Sequence, residues 1–255
     1  MKSSTAIAVG TLAVGAALLG GKPAHGRPAL GLGVHNESAE GTVATVLVRP
    51  VNADDEARRA EVRSQLRERE AGTYINDILL ERDSSLARWH DRPDRPLTVW
   101  IQPAPRISDW NPVFVDEVRT AFMEWGALQL PIHFAFVPDS AKAEVHVTWI
   151  DRFSEPISGR TKWARDDNWW ITGASIVLAI HHQLGEHLDP DAMKAIALHE
   201  VGHLLGLDHT TDPDAIMSPR VRVRDLTPED KATVKLLYSL PAGPVGKSSS
   251  TFVDH

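Results

Sequence analysis

His199-Glu200-Val201-Gly202-His203-Leu204-Leu205-Gly206-Leu207-Asp208-His209 carries three histidines and one glutamate within eleven positions. Residues four apart on a helix share a face, so His199 and His203 can grip one ion together. Asp189 can cap the preceding turn and Pro190 can open it, which places both histidines well inside a helix. Met193, Ala197, Leu198, Val201, Leu204 and Leu205 fall on the arc opposite His199. The helix is therefore expected to bury its back and turn its histidines to a cleft, with the small Ala192 and Ala195 beside them. Glu200 lies one residue round, near enough to reach a water at the ion without ligating the ion itself. Gly206 permits the left-handed backbone that ends a helix, and the chain can then return His209 as a third ligand. Three neutral imidazoles leave an open fourth position, as expected of catalytic rather than structural zinc. The pattern His-Glu-x-x-His with Gly206 and His209 also fixed would arise by chance in about one chain in ten thousand.

The stretch resembles the metzincin zinc signature, and within that clan it is most similar to the matrixins. The run Leu205 to Thr210, followed by Asp212-Pro213-Asp214-Ala215-Ile216-Met217-Ser218-Pro219, is matrixin-like almost throughout. Met217 matches the methionine of the family's turn beneath the ligands. Leu226-Thr227-Pro228-Glu229-Asp230 through Tyr238 resembles the family's last helix, with Thr227 as cap and Pro228 at its start. The resemblance covers roughly 96–241 and implies a zinc endopeptidase with one catalytic zinc on His199, His203 and His209. It also implies Glu200 as general base and a protein or peptide substrate extended along the strand near Thr161 to Arg165. The segment between Met217 and Leu226 would wall the pocket beyond the cleaved bond. Arg220, Arg222 and Arg224 lie there, either to accept an acidic side chain or as ordinary exposed arginines.

Some departures matter. Vertebrate-type matrixins keep latency with a pro-segment cysteine, and this chain has none. Thr161 to Arg165 contains no histidine, so a second, structural zinc is not expected. His181, His182 and His187 read as solvated loop residues. Asp166, Asp167 and Asn168 could hold Ca2+ through oxygens, or form a plain polar turn.

Working outward, Leu97 to Gln102 reads as a strand and Pro112 to Gly126 as a helix, with Val115, Val118, Phe122 and Trp125 at helical spacing. Ile132 to Val137, Glu144 to Trp149, Thr161 to Arg165 and Ser175 to Ile180 read as strands. Helices over Pro190 to Leu205 and Pro228 to Tyr238 close an α+β domain built on one mixed, twisted sheet. Asp54 to Ala71 reads as a charged, exposed helix. Tyr74, Ile78, Leu79, Leu86 and Trp89 then form an apolar set that needs a surface to bury against. The domain order is thus an export signal over 1–26, an extension or pro-segment over 27–95, the protease domain over 96–241 and a disordered tail over 242–255.

The 255 residues suffice for one substantial domain and a leader, or for two small domains. Hydrophobic content of 42% and charged content of 24% are ordinary for a globular chain. A net charge of -7 gives no basic footprint, so nucleic acid is not an expected partner. The absence of cysteine excludes disulfides, thiolate nucleophiles and cysteine-zinc sites. Lys2, the uncharged stretch Thr5 to Gly21 and Ala24-His25-Gly26 together read as a cleaved signal, and an uncleaved one would anchor the chain to a membrane. Either way the folded part lies outside the cytoplasm, as a secreted or periplasmic monomer. Two other readings compete: a zinc-keeping binding protein without activity, and a zinc hydrolase of a non-protein bond. The intact Glu200 argues against the first.

Overall fold

The computed structural model describes residues 53–247, together with a two-residue strand at β1 (Ile7–Ala8). The expected signal sequence, apart from that strand, and the first part of the expected extension, up to residue 52, lie outside the described residues, as do residues 248–255 of the tail.

Five strands make one mixed sheet in the order β4-β3-β5-β7-β6, drawn from β3 (Leu97–Ile101), β4 (Phe134–Phe136), β5 (Val145–Ile150), β6 (Gly159–Arg165) and β7 (Ile171–Ala179). The pairs are parallel except at the end, where β6 runs antiparallel to β7 and leaves its other side as an edge. Alternation explains the inward face. Leu97, Val99 and Ile101 on β3, and Val145, Val147 and Trp149 on β5, are buried while their neighbours are half-buried. In the turn between β6 and β7, Asp166 Oδ1 accepts from the backbone of Asn168 and Trp170, each at 2.9 Å.

Against this sheet pack α3 (Val113–Gly126) and α4 (Pro190–Leu204). They are joined across their interface by Trp125 Nε1, which donates to the Leu198 carbonyl at 2.9 Å. Asp189 caps α4 by accepting from the Ala192 amide at 2.6 Å, as the sequence suggested. One expectation fails here. From Ala192 to Leu204 only Lys194 is partly exposed, so the histidine face is as buried as the back. Strand β6 and the loop holding Met217 cover it, and a helix covered on all sides sits within the core.

α5 (Pro228–Ser239) begins at a capping box formed by Thr227 and Asp230. The N-terminal region is not loose either. α1 (Ala53–Arg69) was expected to be exposed, yet Val62 and Leu66 are buried and Arg63 Nη1 donates to the Val245 carbonyl at 2.8 Å. A charged face hides the two apolar residues that hold the helix down. α2 (Ile75–Glu81) follows, and Tyr74, Ile78, Leu86 and Trp89 are buried with it, while Leu79 packs half-buried against them. The tail is a third correction. β9 (Gly243–Pro244) pairs antiparallel with β2 (Ser85–Leu86) and Val245 is buried, so the first residues after 241 are held by backbone pairing that their Pro- and Gly-rich composition hides. β8 (Arg220–Val221) pairs with β1.

Candidate metal centre

α4 delivers His199 and His203 on successive turns, and both are fully buried. Their tautomers follow from what surrounds them. His199 Nδ1 lies 2.7 Å from the Ile216 carbonyl and His203 Nδ1 lies 3.1 Å from the Leu207 carbonyl. A carbonyl can only accept, so each Nδ1 carries the proton and each Nε2 presents its lone pair. Those two Nε2 atoms face one another at 2.9 Å. Two lone pairs held that close repel unless a cation lies between or beside them.

The helix ends in a Schellman motif. The Leu207 amide donates to the Gly202 carbonyl and the Gly206 amide to the His203 carbonyl, each at 3.0 Å. Gly206 has φ +98, and a Cβ there would run into the Ala87 carbonyl, so both conformation and space require glycine. The turn returns His209, whose ring centroid lies 5.2 Å from that of His199 and 4.9 Å from that of His203. One ligand atom from each of the three residues falls within 4.8 Å of the other two, the only such grouping of His, Cys, Asp or Glu among the described residues.

Burial lowers all three imidazoles below their ordinary value, His199 and His203 well below it, and their mutual repulsion adds to this for His199 and His203. They are neutral at neutral pH, the form that binds metal. Three converging neutral imidazoles, two with second nitrogens fixed by backbone carbonyls, are the donor chemistry of a zinc site. The residues present fit the ion.

Glu200 is also fully buried. Its Oε2 accepts from the Thr161 hydroxyl on β6 at 2.6 Å, while its Oε1 is buried with no hydrogen-bond partner. A buried carboxylate oxygen without a donor is costly, and water at the centre would supply one. Burial pushes the Glu200 carboxyl of the metal-free site up to about 8, although the Thr161 hydroxyl and Arg160 pull it down; a dication held by the neighbouring histidines would favour its ionised form. A Cβ on Gly159 would overlap the carboxylate, so glycine at the head of β6 is what lets the strand lie over Glu200. Below the three histidines, Met217 is buried with its sulfur where a Gly202 Cβ would stand.

The structure therefore brings Glu200, His199, His203 and His209 together. It sets other candidates apart. His181 is buried rather than solvated, with its Nδ1 2.8 Å from Asp151 Oδ1 and its backbone bridged to that of His187. His182 is half-buried and His187 is exposed, so of the three only these can meet solvent as expected. Arg220, Arg222 and Arg224 are all exposed, and Val221 between them is the buried residue. Sequence reasoning missed Thr161, Gly159 and Gly202. Gly202 alone gave a signal, as a glycine inside a helix with a cost of about 1 kcal/mol to explain.

Residues 88–239 match the family model described as Matrixin. Metalloendoproteinase 1 of Glycine max is 24% identical over 187 residues, which cover 65% of this chain and 57% of that protein. Metalloendoproteinase 2-MMP of Arabidopsis thaliana is 33% identical over 95 residues, 34% of this chain and 22% of that protein. Matrilysin of Felis catus is 45% identical over 49 residues, 17% of this chain and 19% of that protein. The chain thus spans little more than half the length of the soybean relative, and less of the others.

Proposed function

The chain belongs to the matrixin family, and from that premise we propose that it is a zinc-dependent endopeptidase. His199, His203 and His209 hold one zinc, and Glu200 acts as general base. One observation carries the reading: the neutral imidazoles converge beside a carboxylate that has one oxygen tied to Thr161 and the other buried without a donor. When bound, zinc supplies the Lewis acidity that acidifies water and polarises a carbonyl.

The rest is the work of the chain's own residues. Glu200 Oε1 takes a proton from the attacking water and passes it to the leaving nitrogen. Thr161 fixes the other oxygen, so the carboxylate does not swing during transfer. The free side of β6 adds the substrate as a further extended strand, and the backbone groups of 159–165 position the peptide over Glu200. Secretion follows from the export-like N-terminus, and action as a monomer is the simplest state.

The decisive experiment compares Glu200→Gln with His203→Ala. Glu200→Gln should keep zinc and lose turnover by about 100-fold or more, whereas His203→Ala should lose the metal. Wild-type cleavage of an unbiased peptide library by Glu200→Gln protein would refute the mechanism. A zinc-loaded wild type that cleaves no peptide in that library would favour a binding protein or a hydrolase of another bond.

A further inference from the structure

Tyr74 to Trp89 lies almost wholly ahead of the family-matched region, yet two of its side chains, Asp77 and Arg82, meet the metal centre's own loop. The Arg82 guanidinium is buried and spends all three of its nitrogens there. Nη1 donates to the Gly206 carbonyl at 2.6 Å, Nη2 to the Leu207 carbonyl at 2.9 Å and Nε to Asp208 Oδ2 at 3.0 Å. The Leu207 carbonyl is the acceptor that orients His203, and Asp208 Oδ1 accepts the His209 amide at 2.9 Å. On the far side of His209, Asp77 Oδ2 accepts from the Thr210 hydroxyl at 2.8 Å and the Thr211 amide at 3.1 Å. One short helix and the turn after it therefore bracket His209 at both neighbours.

We propose that Arg82 and Asp77 are positioning residues of the metal centre, which makes the 74–89 segment a working part of the active enzyme rather than a removable leader. The inference rests on the zinc reading above. Ordinary packing would spread contacts over the surface that the segment covers. Tyr74 and Arg88 do reach elsewhere, to Asp230 and the Leu240 carbonyl, but Arg82 and Asp77 converge on residues 206–211, the loop that follows α4 and carries the third ligand. A rigid fork suits the three acceptors of Arg82, and a lysine could satisfy only one or two of them. Trp163 on β6 closes the other side, with its ring 5.2 Å from the guanidinium carbon, so Arg82 also links the loop to the substrate edge. Delivering Arg82 costs backbone freedom: Asp83 and Ser84 both take left-handed conformations, at φ 48 and 56, before the chain pairs with β9.

The test measures metal affinity on the full chain, by competition with a chromophoric chelator at fixed pH, and the visible spectrum of the cobalt form. Arg82→Gln should weaken zinc binding 10- to 100-fold and shift the cobalt bands. Arg82→Lys should recover part of the loss, and Asp77→Asn should lie between wild type and Arg82→Gln. Arg92→Gln serves as a control, because Arg92 pairs with Glu144 at 2.8 Å at the start of β5 and should lower melting temperature alone. If Arg82→Gln does not fold, Arg82→Lys and Asp77→Asn carry the comparison. Wild-type zinc affinity and cobalt spectra in these variants, whatever their melting temperatures, would overturn the proposal. A wild-type chain that binds no zinc would instead overturn the reading of the site on which it rests.

Discussion

Thr161 Oγ1 stands 2.6 Å from Glu200 Oε2 and 2.9 Å from the Glu200 carbonyl. The strand that would receive a peptide is thereby the strand that orients the proposed base. Its single hydroxyl proton goes to the shorter, charged contact. Gly159, two residues earlier, contributes by leaving out a Cβ that would collide with the same carboxylate.

Replacing Thr161 by valine keeps shape and removes the hydroxyl. A hydrogen bond to a charged group contributes about 1.5–3 kcal/mol, and 1.4 kcal/mol is about tenfold in rate. Thr161→Val should therefore lower kcat by about 10- to 100-fold, leave KM little changed and retain zinc, while Thr161→Ser restores most of the rate. Equal kcat for the valine and wild-type proteins would show that the contact does not serve the base.

Gly202 sits inside α4, where alanine would ordinarily gain about 1 kcal/mol from helix propensity. Here its Cβ would overlap the Met217 sulfur and press on Trp125 at 3.3 Å. Overpacking of this kind costs about 1–3 kcal/mol, so Gly202→Ala should lower the melting temperature despite its better propensity. Adding Met217→Ala should relieve part of that loss, since residues in contact are not additive. Simple additivity in the double mutant would mean that the two side chains do not compete for this space.

Asp230 is fully buried and links three elements. Its Oδ2 accepts from the Ile216 amide at 3.0 Å and from the Thr227 backbone and hydroxyl, while its Oδ1 accepts from the Tyr74 hydroxyl at 2.9 Å. Ile216 in turn offers the carbonyl that orients His199. Tyr74→Phe deletes one bond to a charge and should cost about 1.5–3 kcal/mol of stability. Asp230→Asn places an amide among donors that need acceptors and should cost more. Chemical denaturation of the two variants checks the order, and a Tyr74→Phe protein as stable as wild type would discount that contact.

What could be read from the sequence was local. The spacing of His199, His203 and Glu200 is fixed by helix geometry, and Gly206 and Asp189 act on the backbone beside them, so these needed no tertiary knowledge. Strands β3 and β5 were legible because alternation follows from a sheet with one buried face. Arg82, Asp77 and Thr161 gave no such signal, for their partners lie from 39 to 134 residues away. Burial misled in the same manner. Helix α1 reads as polar because two apolar residues suffice to hold it, and residues 243–245 read as tail because pairing with β2 leaves no trace in composition.

The largest consequence concerns where the domain begins. A chain starting at Pro96 would lose the buried side chains of Tyr74, Ile75, Ile78, Leu86 and Trp89. At about 1.5–3 kcal/mol each, they contribute about 7–15 kcal/mol as an upper estimate, comparable with the whole stability of a domain at about 5–15 kcal/mol. The cut would also leave the Leu204 carbonyl at the end of α4 without the Trp89 Nε1 donor that lies 2.9 Å from it, and β9 without its partner strand. A protein spanning 96–247 should therefore be at best marginally folded, without a cooperative thermal transition at 25 °C or above, whereas one spanning 53–247 should melt cooperatively. Limited proteolysis and N-terminal sequencing of active enzyme give the independent check. A stable, active product that begins near Pro96 would show that the preceding region is dispensable, and that its packing contributes far less than its burial implies.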